Sequence, residues 1–310
     1  MLDAVAYPNS ARLVAALLDV WPEHERFLCQ SFGGRDSTQL AATERLAAKV
    51  LEIVPKDALR AHCGDYRFMS ELFLEEELHF RRTGAYRLST FADAYAEVYS
   101  NTELMPRYVN FILLTHVMWE NHARALFDLE QRYLPALPPG TRHLEVGPGH
   151  GLLLHLAGDS PTVSEITGWD VSETSIEHTR DCLAAMGNTC PLTLVRQDLF
   201  DATPTAPEDR FGSAVISEVL EHLEDPVGAL AALSRHLASG AHLWVNVPVN
   251  SPAPDHIYLL RTPEEAVSMV EKAGFEPTRS EFIPMTGQTL ERARKRDLTI
   301  SAVISARLLG

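Results

Sequence analysis

A glycine-rich turn separates an apolar run from a helical stretch near the middle of the sequence. It reads His143-Leu144-Glu145-Val146-Gly147-Pro148-Gly149-His150-Gly151. Glycine allows a tight turn and lets the backbone approach a ligand closely. Leu152 stands where the dinucleotide fingerprint G-x-G-x-x-G requires its third glycine. The carboxylate of Glu145 would repel a phosphate and attract an ammonium group. The turn therefore predicts a site for a ligand that has an ammonium group and no phosphate.

Acidic residues also follow the next two predicted strands. Asp170 ends the second strand, where a carboxylate is placed to accept both hydroxyls of a ribose. After the third strand, Asp198 is placed to accept from an adenine amino group, with Leu199 or Phe200 covering the ring. Asp170 is also compatible with a helix N-cap, a role that Ser172 shares, and Asp198 with an ordinary turn.

A run of polar residues follows the fourth predicted strand. It reads Ser217-Glu218-Val219-Leu220-Glu221-His222-Leu223-Glu224-Asp225-Pro226. Open α/β sheets bind ligands at the carboxyl edge of their strands, so Glu218 is predicted to face the same site. His222 and, later in the chain, His256 are candidate general bases because histidine titrates near neutrality. Each histidine is equally compatible with a capping or packing role.

These residues need a parallel sheet to position them. Three prolines and a glycine in residues 134–140 end a long helical pattern, so we predict a helical domain over 1–138 and a cofactor-binding domain over 139–310. After this boundary, β-rich runs alternate with helical stretches, as in a doubly wound sheet. The predicted strands are 142–147, 165–170, 192–196, 213–217, 242–247, 276–283 and 298–308, with helices centred near residues 154, 177, 230 and 267. The last two strands lack an intervening helix, which predicts that one of them runs antiparallel.

Composition narrows the class of partner. The net charge of −15 opposes nucleic-acid binding, which depends on clustered Lys and Arg. The four cysteines form no metal-binding spacing, which is typical of a reduced, cytoplasmic protein, and we expect no metal at the site. No apolar run is long enough to span a bilayer. We therefore expect a soluble protein that acts on a small molecule, without nucleic-acid or membrane partners.

The segment from Thr141 to the C-terminus resembles the class I S-adenosylmethionine-dependent methyltransferases, the group that includes ubiquinone-biosynthesis and natural-product enzymes. The resemblance covers a little over half of the chain and implies a Rossmann-like, seven-stranded, mostly parallel sheet. It implies S-adenosylmethionine as cofactor and S-adenosylhomocysteine as product. The cofactor-binding residues it implies are Glu145, Gly147, Gly149, Gly151, Asp170, Val171, Asp198, Leu199 and Glu218. The implied function is methyl transfer to a small-molecule acceptor, in specialised metabolism, with oxygen, nitrogen and carbon acceptors all open.

The N-terminal helices carry no family resemblance that we can name. They are predicted to form a lid, a subunit contact or part of a substrate site, and we favour a homodimer through them. Aromatic residues that recur in this region are compatible with an acceptor wall or with a core. They are Tyr95, Tyr99, Tyr108, Phe111 and Trp119. The acceptor is either a free metabolite or one bound to a carrier protein.

Three alternative functions are compatible with parts of the sequence. Glu76 and His79 have the Glu-x-x-His spacing of helical di-iron proteins, although no second pair matches it, and His116 and Glu120 lie one helical turn apart. This pattern would indicate a metal-dependent enzyme. A non-catalytic cofactor-binding module is disfavoured by the intact turn, and a nicotinamide-dependent oxidoreductase by Leu152 and Glu145.

Overall fold

The computed structural model describes residues 2–309, which form two compact units. The first unit comprises residues up to Phe127 together with Ser251–Leu259 and Ile283–Ile300. The second comprises Asp128–Asn250, Leu260–Phe282 and the residues from Ser301 onward. The proline-rich stretch near residue 138 follows the N-terminal run of helices and precedes β1 at Thr141, whereas the N-terminal part of the first unit ends at Phe127. The division into a helical domain over 1–138 and a cofactor-binding domain over 139–310 stays a prediction.

Twelve α-helices and seven strands are formed by residues 2–309. The helices are α1 Pro8–Val20, α2 Glu25–Gly33, α3 Ser37–Ile53, α4 Leu59–Thr83, α5 Phe91–Ala94, α6 Leu104–Met118, α7 Glu120–Asp128, α8 Leu152–Gly158, α9 Glu173–Ala185, α10 Pro226–Ser234, α11 Pro263–Lys272 and α12 Leu290–Arg296. The strands are β1 Thr141–Val146, β2 Val163–Asp170, β3 Leu192–Arg196, β4 Phe211–Ser217, β5 Leu237–Val249, β6 Phe275–Pro284 and β7 Ile300–Leu308. Short π-helical segments cover Tyr95–Tyr99 and Leu129–Tyr133.

The first unit is mainly helical, as its apolar periodicity predicts. The capping box of Asp36 and Gln39 starts α3, since the Asp36 carboxylate accepts the Gln39 amide proton and the Gln39 side chain accepts that of Asp36. Helix α4 ends at Gly84, whose φ of 71° lies in the left-handed region that glycine adopts without a Cβ clash. Helix α4 packs against α1 and α6. The buried core of these helices includes Leu13, Leu17, Tyr66, Met69, Phe111 and Leu114.

The second unit is built on the predicted seven-stranded sheet, with strand order β3-β2-β1-β4-β5-β7-β6. Strand β1 pairs in parallel with β2 and β4, β2 with β3, and β4 with β5. Strands β6 and β7 run antiparallel, because Leu309 N donates to Gly274 O and the Thr278 hydroxyl donates to Ser305 O. The predicted α/β fold class and the helical region that precedes it are confirmed.

The predicted strand bounds agree with the observed ones to within two residues, except at β5. That strand was predicted over 242–247 and extends from Leu237 to Val249. Its early part contains Gly240 at a φ of 72°. Because a glycine usually indicates a turn, the strand was predicted to start after this residue. The last residue of β5 that pairs with β4 is Asn246, which is opposite Ser217. Pro248, which has no amide proton, therefore lies beyond the residues that pair with β4 and does not interrupt that pairing.

A buried carboxylate ties strands of the second unit to the end of α7. Asp128 is fully buried; its Oδ1 accepts from Trp244 Nε1 on β5 at 2.9 Å and from Arg279 Nη2 on β6 at 2.7 Å. Its second oxygen pairs with Arg279 Nη1. Burying a carboxylate is tolerated when it is paired and hydrogen-bonded, as here. Within residues 2–309, no helix is both long and apolar enough to cross a membrane.

Candidate active site

The sheet register brings the predicted cofactor residues of the second unit to one edge. Glu145 on β1 is paired with Gly168 on β2, two residues before Asp170. Val146 is paired with Ile216 on β4, and Gln197 N donates to Asp170 O at 2.8 Å. Because these strands are parallel, the residues that follow them emerge together at the carboxyl edge.

The glycine turn adopts a conformation that side chains disfavour. Gly147, Gly149 and Gly151 have φ values of 70°, 52° and 70°, all in the left-handed region. A Cβ on Gly147 would lie 2.7 Å from Val219 Cγ2 in the loop after β4, whereas a Cβ on Gly149 would meet no atom within 4 Å. The turn therefore packs tightly at its start and is open at its middle.

The middle of the turn is fixed through a residue that sequence reasoning missed. The Thr179 hydroxyl oxygen on α9 lies 2.6 Å from Gly149 O and 2.8 Å from Ser175 O, so its one proton is shared between these two carbonyls. Thr179 is fully buried on the helical face that meets the turn. A threonine on an amphipathic helix gives no signal in the sequence that would reveal this contact.

Glu145 is a buried carboxylate at the end of β1. It is 2% exposed, and its Oε2 atom has no hydrogen-bond partner among residues 2–309. Burial raises the pKa of this carboxyl well above its ordinary value. An unpaired buried oxygen costs free energy that a cationic donor would recover. The site therefore suits the ammonium group that the sequence predicts.

Asp170 ends β2 and directs both carboxylate oxygens into local hydrogen bonds. Its Oδ1 accepts from Ser172 N at 2.9 Å and its Oδ2 from the Ser175 hydroxyl at 2.7 Å. Burial raises its pKa, and these hydrogen bonds oppose that shift. Ser172, rather than Asp170, is the N-cap of α9. Each Asp170 oxygen keeps further acceptor capacity, which fits a ligand diol. Val171 is 56% exposed beside it.

Asp198 and its neighbours follow β3. Asp198 is exposed, and its Oδ1 accepts from Phe200 N at 2.9 Å, which forms the turn that the sequence allowed. Leu199 is buried, whereas Phe200 is 47% exposed. Contact of these side chains with an adenine stays a prediction.

Glu218 follows β4 in a strained conformation. Its φ of 52° is uncommon for a residue other than glycine. Its Oε1 accepts from Asn246 Nδ2 on β5 at 2.8 Å, and burial raises the pKa of Glu218 to about 8 although this hydrogen bond opposes the shift. Asn246 was not predicted as a site residue. The signal was present, because Asn246 is a polar residue between Val245 and Val247 in an otherwise apolar run.

The two candidate bases lie in different units. His222 ends the turn Leu220–His222 of the second unit, with its Nε2 3.6 Å from Glu221 Oε1. His256 lies in the segment Ser251–Leu259 of the first unit and is 5% exposed. Its Nδ1 is 2.7 Å from Ser251 O. Since a carbonyl only accepts, Nδ1 carries a proton, and the neutral ring keeps its lone pair on Nε2.

The helical residues considered for other roles have structural partners. The Glu76 carboxylate, 5% exposed, accepts from Arg87 Nε at 2.9 Å, so its charge is paired with a guanidinium. Phe111 is fully buried and packs with Tyr66, Phe73 and Trp119, as a core residue does. Tyr95 is 56% exposed.

Comparison with known proteins gives a family for this arrangement. Residues 118–295, more than half of the chain, match a family model described as a methyltransferase domain. A curated relative, the ubiquinone biosynthesis O-methyltransferase of Alkalilimnicola ehrlichii, is 33% identical over 104 residues. This alignment covers 34% of the chain and 40% of the relative, so the chain matches less than half of the relative's length.

Solved structures that are similar to the chain include a cyclase and an N-methyltransferase. The [4+2]-cyclase SpnF has a TM-score of 0.49 and 21% identity, with 62% of this chain and 83% of that chain covered. The N-methyltransferase NodS from Bradyrhizobium japonicum WM9, in complex with S-adenosyl-L-homocysteine, has a TM-score of 0.45 and 18% identity, with 60% and 84% covered.

Proposed function

We propose that this chain, which belongs to the class I S-adenosylmethionine-dependent methyltransferase family, transfers a methyl group to a small-molecule acceptor. The observation that carries the proposal is the unpartnered, buried Glu145 oxygen at the glycine turn, one strand from Asp170. The cofactor supplies an electrophilic methyl group on a sulfonium. The protein supplies positioning, exclusion of water and, where the acceptor needs it, removal of a proton.

Under this proposal, each of the predicted cofactor-binding residues of the second unit contacts one part of the cofactor. Glu145 takes the ammonium group, and the open turn at Gly149 takes the adjacent chain of the methionine part. Asp170 accepts the ribose hydroxyls beside Val171. Asp198 accepts the adenine amino group and Leu199 contacts the ring. Gly147, Gly151 and Glu218 complete the proposed pocket.

Two histidines are proposed as alternative general bases. His256 has the better-defined geometry, because its Nδ1–H bond to Ser251 O leaves Nε2 as the proton acceptor. His222 lies beside the buried carboxyl of Glu221, which would stabilise the imidazolium formed by proton uptake. A hydroxyl acceptor requires such a base, and the relative named as an O-methyltransferase supports proposing one.

The wider setting forms part of the same proposal. A small metabolite of specialised metabolism is the proposed acceptor, either free or attached to a carrier protein. The net charge of −15 supports a partner other than nucleic acid. Four unpaired cysteines support a cytoplasmic location. A homodimer through the N-terminal helices is proposed for the assembly.

An acceptor panel tests the reaction. Purified protein is incubated with methyl-labelled S-adenosylmethionine and phenols, aliphatic alcohols, amines and acidic carbon compounds, and labelled products are counted. We expect turnover of a hydroxyl compound. We also expect kcat to fall by about 10²-fold or more in one of the two variants His256→Gln and His222→Gln, since this is the size of a general-base contribution. Labelled amine products with unchanged kcat in both variants would contradict a base-dependent hydroxyl acceptor.

Cofactor affinity is expected to rise with pH. Burial holds the pKa of Glu218 at about 8, so this carboxyl is mostly protonated at neutral pH in the free protein. A cationic ligand favours the ionised carboxylate, so binding releases a proton and tightens as pH rises from about 6 towards 8. Titration calorimetry with S-adenosylmethionine, in buffers of different ionisation enthalpy, measures the protons released.

The neutral isostere Glu218→Gln provides the control for this prediction. It removes one buried carboxyl with a raised pKa and leaves another, that of Glu145, so we expect fewer protons released and a flatter dependence of affinity on pH. An affinity that weakens as pH rises, or an unchanged proton count in the variant, would show that Glu218 does not face the cofactor.

A further inference from the structure

The segment Ser251–Leu259 lies in the first unit and carries His256. It contains no helix or strand, and its sequence Ser251-Pro252-Ala253-Pro254-Asp255-His256 includes two prolines that lack an amide proton. His256 N donates to Ala253 O at 3.4 Å, which closes a turn with Pro254 and Asp255 at its centre. Regular secondary structure therefore does not hold this turn in place, and side-chain contacts are needed to fix it.

Three tyrosine hydroxyls of the first unit make those contacts. Tyr108 on α6 donates to Asp255 Oδ1 at 2.7 Å, and Tyr99 in the π-helical segment donates to Asp255 Oδ2 at 3.1 Å. Ser251 N donates to the Tyr86 hydroxyl at 3.0 Å, and the Tyr86 ring lies edge-on to His256 with centroids 5.9 Å apart. Both ends of the turn are therefore tied to tyrosines of the first unit: Tyr86, in the loop after α4, and Tyr99 and Tyr108 in helical segments.

The burial of these groups indicates a built arrangement. Asp255 is 1% exposed and His256 is 5% exposed. A carboxylate buried to this degree is expensive unless donors satisfy it, and each of its oxygens accepts a tyrosine hydroxyl. The segment that presents Tyr99 is π-helical, a rare departure from α-helix that is frequent at functional sites.

We infer that Asp255 is a positioning residue, which Tyr99 and Tyr108 hold so that the turn fixes His256 with its proton on Nδ1 and its lone pair on Nε2. The chain of contacts runs from the two hydroxyls to the Asp255 carboxylate, through the turn, to the hydrogen bond between His256 Nδ1 and Ser251 O. Asp255 acts on the imidazole through the backbone of the turn. The inference rests on the proposed function only where His256 serves as a base.

The tautomer of His256 is the readout that a merely structural role would not move. Nitrogen NMR of the full chain labelled with ¹⁵N-histidine, at mildly alkaline pH where imidazole is neutral, distinguishes the two tautomers. The His256 signals are assigned by their loss in His256→Gln. We expect one Nδ1-protonated form in the wild type and a mixture of both tautomers in Tyr99→Phe/Tyr108→Phe.

Tyr133→Phe is the matched control. Tyr133 is a buried tyrosine of the second unit whose hydroxyl donates to Ala214 O at 3.0 Å, so the control removes one buried hydroxyl away from the turn. We expect it to leave the His256 tautomer unchanged. An Nε2-protonated His256 in the wild type, or a double variant that keeps the wild-type signals, would overturn the inference.

Two further measurements keep the outcomes distinct. If the double variant does not fold, Tyr99→Phe and Tyr108→Phe are measured separately, since each removes one of the two hydrogen bonds to Asp255. Mixed tautomers in either single variant support the inference, and unchanged signals in both overturn it. Calorimetry with S-adenosylhomocysteine on the same samples tests the proposed function separately. Absence of S-adenosylhomocysteine binding by the wild-type protein would contradict the methyltransferase proposal and would not affect the conclusion about the His256 tautomer.

Discussion

Replacement of Gly149 by alanine is expected to weaken the affinity for S-adenosylhomocysteine by about tenfold or more, equivalent to about 1.4 kcal/mol, while the protein stays folded. A Cβ at position 149 would meet no protein atom within 4 Å, so the methyl group of alanine would enter space that we assign to the cofactor. The φ of 52° adds about 1–2 kcal/mol of backbone strain in both free and bound states. Calorimetric titration and thermal unfolding of the same preparation separate the two effects.

Gly140 offers a close control for this substitution. It also has a positive φ, of 78°, and a Cβ there would also meet nothing within 4 Å. It precedes β1, whereas Gly149 follows the carboxyl end of that strand. Gly140→Ala is therefore expected to lower stability to a similar degree and to leave binding intact. Equal affinities for the two alanine variants would mean that the middle of the turn does not line the site.

Replacement of Asp170 by alanine is expected to have the second large effect. The substitution removes both carboxylate oxygens that we assign to the ribose hydroxyls. Hydrogen bonds to a charged group contribute about 1.5–3 kcal/mol each, so the affinity for S-adenosylhomocysteine should fall by at least about tenfold. The variant also loses the contacts to Ser172 N and the Ser175 hydroxyl, so stability must be measured together with binding.

Ser172→Ala separates these two consequences. The Ser172 hydroxyl caps α9 by accepting from Ser175 N at 3.3 Å, and its loss should cost about 1 kcal/mol of stability. Since Ser172 is not assigned to the ribose, we expect its affinity to match the wild type. An Asp170→Ala variant that binds as well as Ser172→Ala would show that Asp170 only supports the start of α9.

The sheet was predictable because local sequence signals agreed with each other. The apolar run, the three glycines and the acidic residue at Asp170 occur in the order that a doubly wound sheet requires. Strand pairing then follows from topology, so the register of Glu145, Asp170 and Glu218 at one edge needed little more than the strand assignments. The early part of β5 was missed because Gly240 interrupts its pattern.

Contacts that depend on distant parts of the chain were not predictable. Thr179 reaches Gly149 across 30 residues, and Asp255 meets Tyr108 across 147 residues. Neither pair leaves a periodic or motif signal, because each contact depends on how separate elements pack. The assignment of Ser251–Leu259 to the first unit has the same origin: its anchors are tyrosine hydroxyls distant in sequence.

Site polarity was partly visible in the sequence. The position of Glu145 in the sequence predicts an ammonium ligand, and its unpartnered buried oxygen supports that prediction. The raised pKa of Glu218 was not predictable, because it results from burial in the folded protein, a shift that the hydrogen bond from Asn246 opposes. The histidines were identified by residue type and by their predicted position on loops or helix starts at the carboxyl edge of the sheet. The tautomer of His256, in contrast, depends on a carbonyl five residues earlier in the chain.

The central claim is that the turn around Glu145 and the Asp170 carboxylate together bind the methyl donor. Calorimetric titration of the wild-type protein with S-adenosylhomocysteine tests this most directly. The account predicts one-to-one binding with a dissociation constant of about micromolar, near −8 kcal/mol. Absence of binding by protein that circular dichroism shows to be folded would contradict it.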